Sequence, residues 1–582
     1  MGNPDLVELA SIFKDKGGPG AFVGIQAWTL DEVIFRRMVA MVLNKPLWWI
    51  HILDTEVVQE WRSILAGEEG PPNKVALVVE EVIAFVSQLG SRGVHSASTG
   101  ATVMPGPAVG TIVSPDAVPL DLSNRLIEHT RVLEDIPEAH KDWQAEHSKA
   151  AGSNSNETIS HSRHVLNLVN PHLFSLWYHH TLIKLTERKM LERVQPPWSR
   201  FVGSGHQPAR MPRRGITGPW RMRSTRFQML PSEVVVDSEG KASITSYINN
   251  LHPIQHQAIH QDIADILSCV IPLFERQLSL LMGRLVAPIL KIPILNEDLF
   301  EEGTVGCTAL HISGSTPHEQ SNVLPVRYRQ LSPCVSLSNR RLQMIIKISQ
   351  IHLTPENPEY EGESWSVDGN SNEAIVATCI YPYAVSDTIT VPILELRAGA
   401  CVPFDYTLEG EDMQNQMDYT LREYGISAGN KLTQEVGNIK LNLGRCVTYP
   451  NLFQHRLAPI RLLDASLGQV GHCKFLMFYL IDPSKTIVST SATPPQQIGW
   501  FTDAISSSAC IPRLPNEIIR NVASFIPGLS TAADARTRYA QAIYEQTHSI
   551  GPAISDDVFE RVFDIMDPSG YDSDHDPDDL DN

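Results

Sequence analysis

Beyond roughly residue 300 the chain is a series of short apolar, β-branched runs separated by turn residues. They read "LQMIIKISQIHL", "AIVATCIYPYA", "TITVPILELRAG", "NIKLNLGRCVTY" and "CKFLMFYLID". Strands this short bury their apolar faces only by stacking on one another. A row of them therefore predicts a sandwich or barrel.

The first part of the chain has a different period. "TLDEVIFRRMVAMVLNK" opens with Thr29 and carries Glu32 three residues later, a capping box ahead of apolar positions at helical spacing. "EVVQEWRSILAG" and "VALVVEEVIAFVSQLG" repeat the pattern and stop at glycine. From Ile259, the residues Ile263, Ile266, Leu267, Val270, Ile271, Phe274, Leu278 and Leu281 fall three and four apart. This predicts a long amphipathic helix, bent or broken near Pro272. "SASTGATVMPGPAVGTIVSPDAVP" and "AAGSNSNETIS" are rich in Gly, Ser, Thr and Pro and read as loops or linkers. "LPNEIIRNVASFI" and "AADARTRYAQAIYEQ" return to helix, and "DPSGYDSDHDPDDLDN" is an acidic tail with too little apolar surface to fold.

The expected fold class is α+β. Its divisions are a helical region at 1–90, a flexible linker at 91–118, a mainly helical region at 119–300, a strand-rich domain at 301–500, closing helices at 501–560 and the acidic tail at 561–582.

The 582 residues carry 47 basic against 66 acidic side chains, a net charge of −19. That balance argues against a general nucleic-acid binder and against an anionic membrane surface. No stretch approaches the length of a membrane span, and the start "MGNPDLVELASIFKDKGG" lacks the pattern of a signal peptide. The 8 cysteines are scattered, with no C-x-x-C pair, and are expected as reduced thiols in a cytoplasmic protein.

Two residues are candidate metal ligands. Asp368 sits in "ESWSVDGNSNE", between two strand-like runs and beside a Gly/Asn turn, two residues after Ser366. His455 lies in "YPNLFQHRLAPI", after a strand and a Pro-Asn turn. A carboxylate and a distant His at strand ends are two parts of the two-His-one-carboxylate set that holds non-haem Fe(II). A turn carboxylate and a hydrogen-bonded strand-end histidine explain the same spacing.

Other features carry less. His256 and His260 stand four apart without the glutamate of a zinc protease. The tail "DSDHDPDD" alternates Asp but has Pro577 where a calcium loop needs Gly. Arg210, Arg213, Arg214, Arg221, Arg223 and Arg226 form a basic stretch around Trp220, suited to an anion or to the protein's own acidic surface. There is no Walker loop, nucleophile elbow or Rossmann fingerprint.

Several longer stretches carry a family resemblance: "VLNLVNPHLFSLWY", "LPSEVVVDSEGKASITSYINNLHPIQH", "IHLTPENPEYEGESWSVDGNSNEAIVATCIY", "GRCVTYPNLFQHRLAPIRLLD", "GHCKFLMFYLIDP" and "TPPQQIGW". Through them the chain resembles the fungal family known as domain of unknown function 4246, over most of its length. The resemblance implies a C-terminal double-stranded β-helix, a jelly roll like that of Fe(II)/2-oxoglutarate oxygenases. It also implies a small metabolite as partner, since some members lie among fungal secondary-metabolism genes.

The resemblance exposes two departures. Members usually read Ser-Trp-His-Val-Glu-Gly where this chain has Ser364-Trp365-Ser366-Val367-Asp368-Gly369. Ser366 thus occupies the place of the first His, and Asp368 that of Glu. Members favour Gly-His-Arg-Lys where this chain has Gly471-His472-Cys473-Lys474. If that Arg holds the 2-oxoglutarate carboxylate, Lys474 or Arg461 is left as the candidate here. A serine hydroxyl is a poor Fe(II) ligand beside imidazole. Three functions follow. One is an oxygenase acting on a small metabolite through Fe(II) and 2-oxoglutarate, with Asp368 and His455 as ligands. Another is a non-catalytic relative that binds a metabolite or a partner protein. The third is a metal-independent enzyme using the same pocket.

Overall fold

The structure is a computed structural model that describes residues 25–67, 72–90, 94–95, 100–144, 163–184, 205, 207–211, 224–282, 335–402, 410–506, 514–548 and 559–563. The "AAGSNSNETIS" stretch, Arg213, Arg214, Arg221, Arg223 and the tail after residue 563 lie outside the described residues.

Helices α1 (Leu30–Leu43), α2 (Thr55–Leu65) and α3 (Pro72–Gly90) open the described chain, with a one-turn helix at Trp48–His51 between the first two. The capping box forms as expected. The Glu32 N–H donates to the Thr29 hydroxyl, and the Thr29 N–H donates to the Glu32 carboxylate. Two donors that a helix start leaves orphaned are satisfied this way.

The middle of the chain supplies β1 (Thr102–Pro105), β2 (Ile112–Ser114), α4 (Leu120–Glu134), β3 (Val165–Val169), β4 (Ser232–Val236), β5 (Ala242–Ile244) and α5 (Gln257–Met282). The strand-rich part contains β6 (Arg340–Leu353), β7 (Ile375–Val385), β8 (Ile393–Cys401), α6 (Gly410–Tyr424), β9 (Thr433–Lys440), β10 (Cys446–Pro450), β11 (Gln454–Leu457) and β12 (Gly471–Ile481). Helices α7 (Ile498–Ser506), α8 (Asn516–Ser524) and α9 (Ala532–His548) follow.

Most strands join one antiparallel sheet. Its order runs β5-β4-β6-β12-β7-β10-β2-β1 with the two-residue strand Val94–His95 beyond β1, β3 also on β6 and Asp142–Trp143 on β3, and it does not close on itself among the described residues. The centre is apolar on both faces: every residue of β7 from Ile375 to Ala384 is buried. Pro382 is tolerated there because the register slips between Pro382 and Ala384, so no ladder bond needs its missing N–H. A smaller sheet joins β11, β8 and β9, with Ile25–Gln26 parallel to the end of β8.

Helix α5 lies across the large sheet, and its predicted apolar stripe is the buried one: Ile263, Ile266, Leu267, Val270 and Phe274 are inaccessible. The helix runs through Pro272 rather than ending there.

Two expectations are corrected. The Gly- and Pro-rich stretch placed in a linker at 91–118 holds two buried strands, β1 and β2, because Ile112–Ser114 finds a partner in Cys446–Thr448. The region 119–300 is not mainly helical among the described residues. Between α4 and α5 it contributes strands, and β3 and β4 both pair with β6, more than a hundred residues away. No helix among the described residues is long and apolar enough to cross a membrane.

Candidate functional site

The site lies at the seam between the two sheets. On the free edge of β11, Ser366 and His455 exchange backbone bonds: Ser366 N–H to His455 O at 3.1 Å, and His455 N–H to Ser366 O at 2.9 Å. Residues paired this way in antiparallel chains project to the same face. Period-two alternation then carries Asp368 to that face as well. The outcome is a contact: His455 Nε2 stands 3.5 Å from Asp368 Oδ1, both side chains almost wholly buried. Trp365, one residue before Ser366, turns to the other face, where the Arg397 and Arg456 guanidinium groups lie over its ring, 4.7 and 4.4 Å from its centroid.

The large sheet holds Asp368 from the opposite side. Oδ2 accepts from the Thr378 hydroxyl of β7 at 2.6 Å and from the Tyr449 hydroxyl of β10 at 3.0 Å. The Tyr449 ring lies 5.0 Å from the His455 ring. Burial, and after it the Asp368 charge, pushes the Tyr449 phenol far above its ordinary pKa, so it stays a donor. Asn451, itself inaccessible, fixes the Asp368 backbone: Asn451 Oδ1 accepts the Asp368 N–H, and Asn451 Nδ2 donates to the Asp368 and Ile375 carbonyls.

The chain must then turn sharply. Gly369 has φ +65°, the left-handed region that favours glycine, and a Cβ there would also press on Ile375 Cδ1 at 2.9 Å. Glu373 ties the loop down, its carboxylate accepting from the Met229 and Asn370 N–H groups at 2.7 and 2.8 Å. Complete burial pushes this carboxyl up to about 7.

Of the four site residues read from the sequence, the structure brings two together, Asp368 and His455. Lys474 is directed elsewhere. On β12 it lies on the opposite face from Tyr479, and its ammonium is 2.6 Å from Glu134 Oε1 of α4. Cys473 shares the Tyr479 face, so Lys474 cannot replace an arginine at Cys473 without leaving Glu134 and crossing the sheet. Arg461 is exposed on a two-residue strand and faces Glu359 at 3.7 Å.

Thr378, Tyr449, Asn451 and Glu373 were missed. A trace of Thr378 exists in the sequence as the one threonine inside the apolar run "AIVATCIY".

As a donor set, the seam falls short of an iron site. Asp368 and His455 supply two ligands, and one carboxylate oxygen is already held by two hydroxyls. The third place has Ser366, whose hydroxyl makes no hydrogen bond among the described residues. His455 Nδ1 is buried and likewise unpartnered. No group of three His, Cys, Asp or Glu able to hold a metal occurs among the described residues.

A family profile described as "Protein of unknown function (DUF4246)" matches residues 86–504, well over half of the chain and the whole of this seam. The chain belongs to the DUF4246 family. No curated protein matches it. Among solved structures, the crystal structure of IDO from Bacillus thuringiensis is similar over 25% of this chain and 50% of that one, at 10% identity and a TM-score of 0.16. The chain thus spans half the length of that protein.

Proposed function

We propose that this DUF4246 chain is a jelly-roll relative of the Fe(II)/2-oxoglutarate oxygenases that binds a small metabolite at the seam and has lost its iron chemistry. The strand order supports the jelly roll. In chain order β6, the Ser366 strand, β7, β8, β9, β10, β11 and β12 give eight strands. The first, third, sixth and eighth lie in the large sheet, and the second, fourth, fifth and seventh in the small one. That interleaving is the pattern of a double-sheet jelly roll.

One observation carries the loss of iron chemistry: one Asp368 oxygen accepts from Thr378 and Tyr449, the other faces only His455, and a serine stands in the remaining place. With Oδ2 held by the two hydroxyls, a metal would gain only two protein donors, Asp368 Oδ1 and His455 Nε2.

A second reading is favoured by the convergence of Ser366, Asp368 and His455 on one face. It is an oxygenase that oxidises a small metabolite with Fe(II) and 2-oxoglutarate, using Asp368 and His455 as the only protein ligands. Anaerobic titration of the purified protein with Fe(II), followed by an assay for succinate from 2-oxoglutarate, separates the two. The first reading expects no stoichiometric binding at micromolar metal and no succinate. One bound Fe(II) per chain with turnover of 2-oxoglutarate establishes the second.

A further inference from the structure

Away from the seam, a cavity of about 450 Å³ opens between the C-terminal part of α1, the end of α2 and the last residues of β9. Its volume falls in the range of small-molecule sites. Its lining is chemically divided. Trp61, Met41 and Leu65 form an apolar wall, while Arg37, Lys45 and Lys440 bring three cations to it. None of the lining residues is acidic, in a chain with 66 acidic side chains against 47 basic ones.

Arg37, Lys45 and Lys440 have no carboxylate partner among the described residues. Lys45 lies over the Trp61 ring instead, its ammonium 5.9 Å from the centroid. A fourth cation stands just behind the wall. Arg445 is 8% exposed and bonds only to neutral oxygens: the Leu43 carbonyl at 3.1 Å, the Lys440 carbonyl at 3.4 Å and the Asn44 side chain at 3.5 Å. The Leu43 carbonyl at the end of α1 accounts for Arg445 as a helix cap. It leaves the other three charges uncompensated.

We infer that this cavity is a binding site for a small organic anion, one carboxylate, sulfonate or phosphate group joined to a flat apolar body. The Arg37 fork and the two ammonium groups suit the anionic end. The Trp61 face and Met41 suit the body. The site is separate from the seam, so the two readings stand or fall independently.

The test uses two fluorescent probes with the same ring system on the full chain. One is 8-anilinonaphthalene-1-sulfonate, which carries the anion, and the other is N-phenyl-1-naphthylamine, which does not. Arg37 and Lys440 are exposed, so Arg37→Gln/Lys440→Gln should melt at the wild-type temperature. The double variant should weaken the sulfonate at least tenfold and leave the neutral probe within twofold. Lys45→Gln, measured in parallel, should weaken the sulfonate in the same direction. Unchanged sulfonate affinity in these variants, or equal losses for both probes, overturns the anion site.

Discussion

The two faces of the large sheet handle charge in different ways. On the helix face, opposite charges close on each other. Lys474 of β12 meets Glu134 of α4 at 2.6 Å, and behind them Asp262 of α5 takes Arg125 and His129 of α4. On the seam face, Asp368 meets two hydroxyls and an imidazole, with no lysine or arginine in its contacts. A buried ion pair on the first face fixes one layer against another. A carboxylate held by neutral donors on the second is the kind of group a ligand or a metal can still engage. The difference also explains why Lys474 contributes nothing at the seam: its charge is already used on the other side.

Breaking the helix-face pair should have the largest effect. Glu134→Ala strands the Lys474 ammonium, only 9% exposed, without a partner. The expected loss is about 3–5 kcal/mol in urea denaturation. A loss below about 1 kcal/mol would place that pair in solvent and erase the contrast.

On the seam face the cost should be smaller. Asp368→Ala leaves the Thr378 and Tyr449 hydroxyls without their acceptor. About 2–3 kcal/mol of destabilisation follows from two unsatisfied buried donors. Asp368→Asn keeps an oxygen for them and should lose less than half as much. Equal losses for the two variants would mean that Asp368 acts through its charge and not through these bonds.

Glu373 sharpens the contrast through pH. Its raised pKa means that the folded chain keeps a proton the unfolded chain has released, from the ordinary carboxylate range up to about 7. The unfolded state binds fewer protons in that window, so wild-type stability falls as pH rises from about 4.5 to 7 and is level above it. Glu373→Gln has no such proton to lose, but turns an amide NH₂ toward a backbone N–H. It should cost about 1–2 kcal/mol at pH 4.5, with the deficit shrinking as pH approaches 7. A deficit constant across that range would contradict the buried, protonated carboxyl.

The local elements behind this contrast are legible in the sequence, and the contacts that make it are not, for physical reasons. Local signals held: the Thr29–Glu32 capping box, the apolar stripe of α5 and the strand runs after residue 340 all sit where their periods place them. Non-local pairing did not show. Thr102–Pro105 and Ile112–Ser114 read as loop because their Gly and Pro neighbours are local, whereas the strand that accepts them begins at Cys446. Val165–Val169 and Ser232–Val236 were lost to a helical reading for the same reason, their shared partner being β6. At the seam, Asp368 and His455 stood out as chemistry-bearing groups at strand ends. Tyr449 reads only as the end of a strand run and Asn451 only as part of a Pro-Asn turn. Lys474 was misjudged, although its place next to Cys473 on a strand already implied opposite faces.

The most direct test restores the missing donor. Ser366 is exposed and aligned with His455, so an imidazole has room there without the roughly 1–3 kcal/mol cost of overpacking. Anaerobic Fe(II) titration of Ser366→His should show affinity at least tenfold above wild type, about 1.4 kcal/mol. The gain should disappear in Ser366→His/His455→Ala. Wild-type affinity in a Ser366→His protein that folds normally would contradict the account, leaving Asp368 and His455 as structural ties between the two sheets.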